Sequence, residues 1–248
     1  LSHRAITLGG SEKGDAMFAG HLGAALAIGR AEPRVNVGVL AAAALLLDVI
    51  LWQLVLIGWE SVIIPADFAR THQPVFEFPY SHGLVAAAVW SALAGGVVLA
   101  WQAIRGTASP RSALFVAGAV FSHWVLDAIV HAPQLPLLAG TSHRFGAGLW
   151  NNMPVALLLE STLAAAGLWL FLRGAGLPRG RAAGLAALTL LALGSTVLGM
   201  TIAPAPPSAH AMAASSLLTI VAVCTLAGWL GRSARSPERT GTKGDKTA

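Results

Sequence analysis

The sequence predicts an all-α fold: a polytopic transmembrane helical bundle of about six full spans, preceded by a short N-terminal apolar helix. Three observations carry this reading. Of the 248 residues, 55% are hydrophobic and only 11% charged, whereas an ordinary soluble domain carries about 25% charged residues. Runs of ~20 apolar residues recur along the chain, each long enough to cross a hydrocarbon core ~30 Å thick. Twelve of the sixteen basic residues fall in alternate short loops and the C-terminal tail. That distribution also argues against a nucleic-acid partner, despite the net charge of +5.

Residues 1–16 are polar and lack the apolar core of a signal peptide. Met17-Phe18-Ala19-Gly20-His21 opens the first apolar segment, so the natural protein is expected to start at Met17 and the preceding residues to be an upstream extension or a disordered tail. Segment 17–30 makes only ~21 Å of helix, marginal for a crossing, and is expected to tilt or insert partway. Full spans are expected at 35–57, 80–104, 112–133, 149–172, 182–203 and 211–231. Loop 58–79 contains Glu60, Asp67, Arg70 and Glu77 and reads as a lid or interfacial segment. Tail 232–248 reads as disordered and basic, suited to anionic lipid headgroups. The single cysteine, Cys224, excludes an intrachain disulfide and a thiolate metal cluster.

Orientation follows from the basic residues. Arg30, Arg34, Arg105, Arg111, Arg173, Arg179, Arg181, Arg232, Arg235, Arg239, Lys243 and Lys246 fall on one side, and only Arg70 and Arg144 on the other. The positive-inside rule therefore puts the C-terminus in the cytoplasm. Trp101, Trp169 and Trp229 at one end, with Trp59 and Trp150 at the other, fit an interfacial aromatic belt.

The chemistry concentrates in Ser122-His123-Trp124-Val125-Leu126-Asp127-Ala128-Ile129-Val130-His131. His123, Asp127 and His131 recur every fourth residue, within ~80° of one helix face. Two imidazoles and a carboxylate on one stripe can ligate zinc, manganese or iron; the alternative is a polar seam hydrogen-bonded to neighbouring helices. The topology discriminates between them. His21, Asp48, His82, His123, Asp127, His131 and Glu160 all fall at mid-depth or in the outer half of the membrane. The last two spans contain no charged residue or histidine. A charge at the centre of a span costs about 2.5–3.5 kcal/mol on insertion scales. Three carboxylates at depth, Asp48, Asp127 and Glu160, therefore favour a shared, compensated site over scattered seams. Trp150, Asn151 and Asn152 read as interfacial anchors, and His72, His143 and His210 as solvated.

These residues resemble a known pattern. Met17-Phe18-Ala19-Gly20-His21, an aspartate in the next helix, Pro79-Tyr80-Ser81-His82, Ser122-His123-Trp124-Val125-Leu126-Asp127 with His131-Ala132-Pro133, and Gly148-Leu149-Trp150-Asn151 with Glu160 resemble uncharacterised integral membrane proteins of bacteria. That group is similar to the membrane-bound metal-dependent hydrolases of bacterial inner membranes, over roughly 17–172. The resemblance implies His21, Asp48, His82, His123 and Asp127 as metal positions, with His131 and Glu160 as additions of the branch. The chain departs from the pattern in having one aspartate near position 48, not two, and Gln134 after Pro133.

The function expected is a membrane-embedded hydrolase using a divalent ion, zinc first, with Glu160 or His131 as general base or orienting group. An outer-leaflet site suits a lipid or lipid-linked substrate. The alternatives are a proton- or ion-coupled transporter using the same cluster, and a scaffold without chemistry. The absence of an evident internal repeat and the one-sided placement of the polar residues favour a pocket over a conduit.

Overall fold

A computed structural model describes residues 18–232. The expectations for residues 1–17, and for the tail beyond residue 232, lie outside the described residues. The architecture is an all-α bundle. Its helices are α1 Phe18–Ala31, α2 Val37–Ala44, α3 Leu46–Leu56, the single turn α4 Phe68–Thr71, α5 Leu84–Ile104, α6 Pro110–Val130, α7 Met153–Ala175, α8 Arg179–Thr201 and α9 Ala209–Leu230. Helices α5 to α9 are each long and apolar enough to cross a membrane, and α2 with α3 forms a sixth candidate span. The chain is a multi-pass membrane protein.

Local chemistry sets the helix starts. Asn36, Ser109 and Ser208 turn their side-chain oxygens onto the first free N–H groups of α2, α6 and α9. Pro110 occupies the opening turn of α6, where no donor is needed. The outward faces keep apolar residues exposed, as a lipid-facing surface requires: Leu114, Leu158, Leu191 and Leu218 are among them. Trp59, Trp101, Trp169 and Trp229 are likewise more than half exposed, in keeping with an aromatic belt.

The short helix α1 lies inside the bundle. Nine of its fourteen residues are buried, and it runs along α7 so closely that a Cβ on Gly167 would collide with the Gly23 carbonyl, and one on Gly23 with the Leu163 carbonyl. Small residues at a crossing let membrane helices approach to backbone contact. Its start is held by Glu160 of α7, whose Oε2 accepts from Gly20 N at 2.5 Å.

The span expected at 35–57 is broken. Helices α2 and α3 meet at Leu45 with a 52° bend, although neither proline nor glycine stands at the break. The loop expected as a lid contains an antiparallel hairpin, β1 Ser61–Ile63 with β2 Val75–Glu77. A second small pair, β3 Leu135–Pro136 with β4 Arg144–Phe145, follows α6. Gln134 ties the two together: its Oε1 accepts from Phe76 N at 3.0 Å and its N donates to Phe145 O at 3.1 Å. The hairpins close the end of the bundle opposite the arginine-rich loops.

Candidate metal centre

Helix α6 supplies the axis of the site. His123 and Asp127, one turn apart, face inward and are 1% and 3% exposed. Asp48 comes from the first turn of α3, and His82 from the turn ahead of α5. Four ligand-type atoms converge. His82 Nε2 and His123 Nε2 lie 3.1 Å apart, Asp127 Oδ2 lies 3.3 Å from each, and Asp48 Oδ1 lies 3.6 Å from each. Two ligands on an ion with bonds of about 2.0–2.2 Å sit roughly 2.9–3.6 Å apart, so these separations suit a divalent metal of zinc size, with Asp48, His82 and His123 as one triad that could hold it. His21 with His123 and Asp127 forms a second triad that shares His123: His21 Nε2 stands 3.5 Å from Asp127 Oδ1, and its ring lies tilted against that of His123, centroids 3.9 Å apart.

The hydrogen bonds behind the cluster fix which nitrogens face it. His123 Nδ1 lies 2.7 Å from the Ala44 carbonyl. A carbonyl only accepts, so Nδ1 carries a proton, and in the neutral ring Nε2 presents a lone pair to the centre. Helix α2 ends at Ala44, so the break that aims Asp48 inward also turns this carbonyl to His123.

His82 is set by a longer relay. Glu60 is buried, and its Oε1 accepts from Tyr80 N at 2.7 Å and Ser81 N at 2.9 Å, while its Oε2 accepts from Ser81 Oγ at 2.7 Å. With its one proton committed to Glu60, Ser81 Oγ can only accept from His82 Nδ1, 2.8 Å away. His82 Nε2 is thereby also a lone pair aimed at the centre. A carboxylate that orients a metal-facing histidine from behind is a common accompaniment of metal sites.

Around this centre the walls are apolar. Leu51, Trp52, Phe76 and Phe78 close it with Asp48, His82, Asp127 and His131, leaving a cavity of about 10 Å³ for the centre of a water-sized sphere, room for about one such sphere. Phe78 stands edge-on to His82 at 4.8 Å, and Phe76 edge-on to His131 at 5.7 Å. Two carboxylates among such walls need compensation, from a bound cation or from protons on the facing imidazoles, because an unpaired buried charge is strongly unfavourable.

The seven residues singled out from sequence are all buried, none more than 9% exposed. Five converge as described. His131, the C-cap of α6, stands back from them, its Nε2 3.8 Å from Asp127 Oδ2 and its Nδ1 buried without a hydrogen-bond partner among the described residues. Trp150, expected at the interface, instead packs its ring 4.1 Å from His131 and is 5% exposed. Glu160 is engaged at Gly20, beside His21, and keeps Oε1 buried and without a hydrogen-bond partner among the described residues. Glu60 is the residue that sequence reasoning passed over. Nothing near it in sequence signals the role, because its partners are twenty residues on and meet it only through the hairpin.

No family model, curated protein or solved structure matches this chain.

Proposed function

We propose that this chain is a membrane-embedded, metal-dependent hydrolase of the bacterial inner membrane, with its site in the outer half of the bilayer and its C-terminus in the cytoplasm. The observation that carries the reading is the convergence of His82 Nε2, His123 Nε2, Asp48 Oδ1 and Asp127 Oδ2 within 3.1–3.6 Å across the contacts described. Zinc suits this set best, with two imidazoles and two carboxylates, and manganese or iron would be accepted by the same donors. A bound divalent ion would supply an acidified water and polarise a phosphoryl or acyl oxygen.

The protein's own groups then have separable roles. Asp48, His82, His123 and Asp127 hold the ion, His21 flanks it from α1, and Glu60 through Ser81 keeps the His82 ring in register. His131, adjacent to Asp127 but set back from the converging atoms, is placed to take a proton. Glu160, whose Oε1 has no hydrogen-bond partner among the described residues, can serve as an orienting group or second base. Phe76 and Phe78 exclude bulk water, so a productive substrate must enter by displacing the hairpin or from the bilayer side.

The substrate class proposed is a lipid or lipid-linked ester or phosphoester, which reaches such a depth by lateral diffusion. Proteoliposomes holding the wild-type chain and zinc, with a phosphatidylglycerol and phosphatidylethanolamine mixture extracted from bacterial membranes, should release water-soluble phosphate or free fatty acid. Asp127→Ala proteoliposomes should not. Equal release by both would remove the hydrolase reading.

A further inference from the structure

A separate cavity of about 630 Å³ lies at the arginine-rich end, between the α1–α2 link and the C-terminal ends of α7 and α9. Val35, Val37 and Phe171 line it and are themselves buried. Arg30, Arg34 and Arg232 stand around it, and all three are exposed. One side of the cavity is therefore apolar and the other cationic, within a single concavity.

Arginines at helix C-termini often serve the helix ends themselves, so the existing partners decide how many forks remain. Two helix-end carbonyls are already answered by arginines from elsewhere: Ala31 O by Arg111 Nη2 at 3.0 Å, and Arg232 O by Arg181 Nη1 at 2.6 Å. Glu32 is the one acid among the described residues of the loops at this end. It is taken by Arg34, with Nε at 2.6 Å, and by Arg111, with Nε at 2.9 Å. Arg30 and Arg232 line the cavity and have no acidic partner among the described residues. The guanidinium end of Arg30 lies directly against Gly174, another lining residue, where a Cβ would displace it.

We propose that this cavity binds the headgroup phosphate of an anionic phospholipid from the leaflet at the arginine-rich end. The guanidinium fork matches a phosphate through paired, charge-assisted hydrogen bonds, and basic pockets between membrane helices favour anionic headgroups. The floor of Val35, Val37 and Phe171 receives the glycerol and the first methylenes, which a free phosphate does not have. A zwitterionic headgroup brings a cation against Arg30 and Arg232 and is disfavoured. The site is independent of the metal centre and stands whether or not the chain is a hydrolase.

The test uses the full chain, delipidated in detergent, with thermal stability and intact-complex mass spectrometry as readouts. Dioleoyl phosphatidylglycerol should raise the melting temperature and remain bound at one molecule per chain, whereas dioleoyl phosphatidylcholine and inorganic phosphate should do neither. Arg30→Gln with Arg232→Gln should weaken the lipid's apparent affinity roughly 10- to 30-fold, at about a tenfold loss or less per basic residue. Arg105→Gln with Arg179→Gln removes the same charge from the same end outside the cavity and should leave the affinity unchanged. Equal weakening by the two pairs would reveal a diffuse basic surface and overturn the site. Stabilisation by phosphate alone, with nothing added by the lipid, would overturn the lipid as its occupant.

Discussion

His123 donates from Nδ1 to the carbonyl of Ala44 at 2.7 Å, across the break between α2 and α3. One contact thus joins the orientation of an imidazole of the His/Asp cluster to the interruption of a membrane helix. The broken helix supplies both halves of the arrangement, the acceptor from the end of α2 and the Asp48 carboxylate from the start of α3. Irregular backbone at membrane depth is tolerated where it is buried in protein, and here it is used.

Substitutions at His123 should separate these two roles. Asn at this position can place its amide N–H near the site of Nδ1 but has nothing at Nε2. His123→Asn is therefore expected to melt within ~1 kcal/mol of the wild type in the metal-free state, about the value of one hydrogen bond, yet to lose metal retention. His123→Leu should lose both. Metal-free melting curves of the two variants, read beside metal content, check this; a His123→Asn protein that retains metal would show that Nε2 is not a ligand.

The Ser81 hydroxyl should matter for metal binding through His82. Ser81→Ala leaves Glu60 its two backbone donors, Tyr80 N and Ser81 N, and removes the hydroxyl's bonds to Glu60 Oε2 and to His82 Nδ1. Loss of such a supporting contact typically costs about 10- to 100-fold in metal affinity. A competition titration with a chromophoric chelator should show that weakening, beside a metal-free stability lowered by about 1 kcal/mol for the lost bond to Glu60. An unchanged affinity would mean that the relay does not orient His82.

The contact between Gly23 and Gly167 sets where His21 sits. Gly167→Leu would force α1 from α7, and overpacking of a tight contact costs about 1–3 kcal/mol or more. Melting temperature should fall, and His21 should withdraw from Asp127. Gly194→Ala on α8, where a Cβ meets nothing, is the matched control. Equal melting of the two variants would contradict the close packing of α1 on α7.

Glu32 gives the arginine-rich end a pH dependence. The Arg34 guanidinium, hydrogen-bonded to it, holds its carboxyl below the ordinary value of 4.5, with Ser112 and the charges of Arg34 and Arg111 acting in the same sense and burial opposing them. A carboxylate depressed in the folded state contributes stability that is complete above its unfolded value and is lost as pH falls through the folded one. Wild-type stability should thus carry a component that declines below about pH 4.5, and Glu32→Gln should lack it. Parallel profiles for the two proteins between pH 3 and 6 would show that the Glu32 pairing contributes nothing.

The spans were legible because hydropathy and the basic-loop bias act over ~20 residues and do not depend on tertiary detail. The site was legible because ionisable residues inside apolar helices are conspicuous, as Asp48 is within Leu45-Leu46-Leu47-Asp48-Val49-Ile50. The break at Leu45 was not, since an unbroken Ala and Leu run reads as continuous helix; the two halves pack against α6 and α9, contacts that a hydropathy pattern does not carry. The hairpin strands are three residues long or fewer, too short for alternation to register. Glu60 and Trp150 looked like loop and interface residues because their partners, Ser81 and His131, are distant in sequence.

The central claim is that His82, His123, Asp48 and Asp127 hold a metal, and metal content answers it most directly. Detergent-purified wild-type chain, analysed by elemental mass spectrometry, should carry stoichiometric divalent metal and melt lower after chelation, because an ion that binds only the folded state stabilises it by RT ln(1 + [L]/Kd). Asp127→Ala should carry none and be indifferent to chelator, while His143→Ala, altered in an exposed loop residue, should match the wild type. Wild-type protein without metal, melting identically with and without chelator and after zinc is added back, would contradict the account.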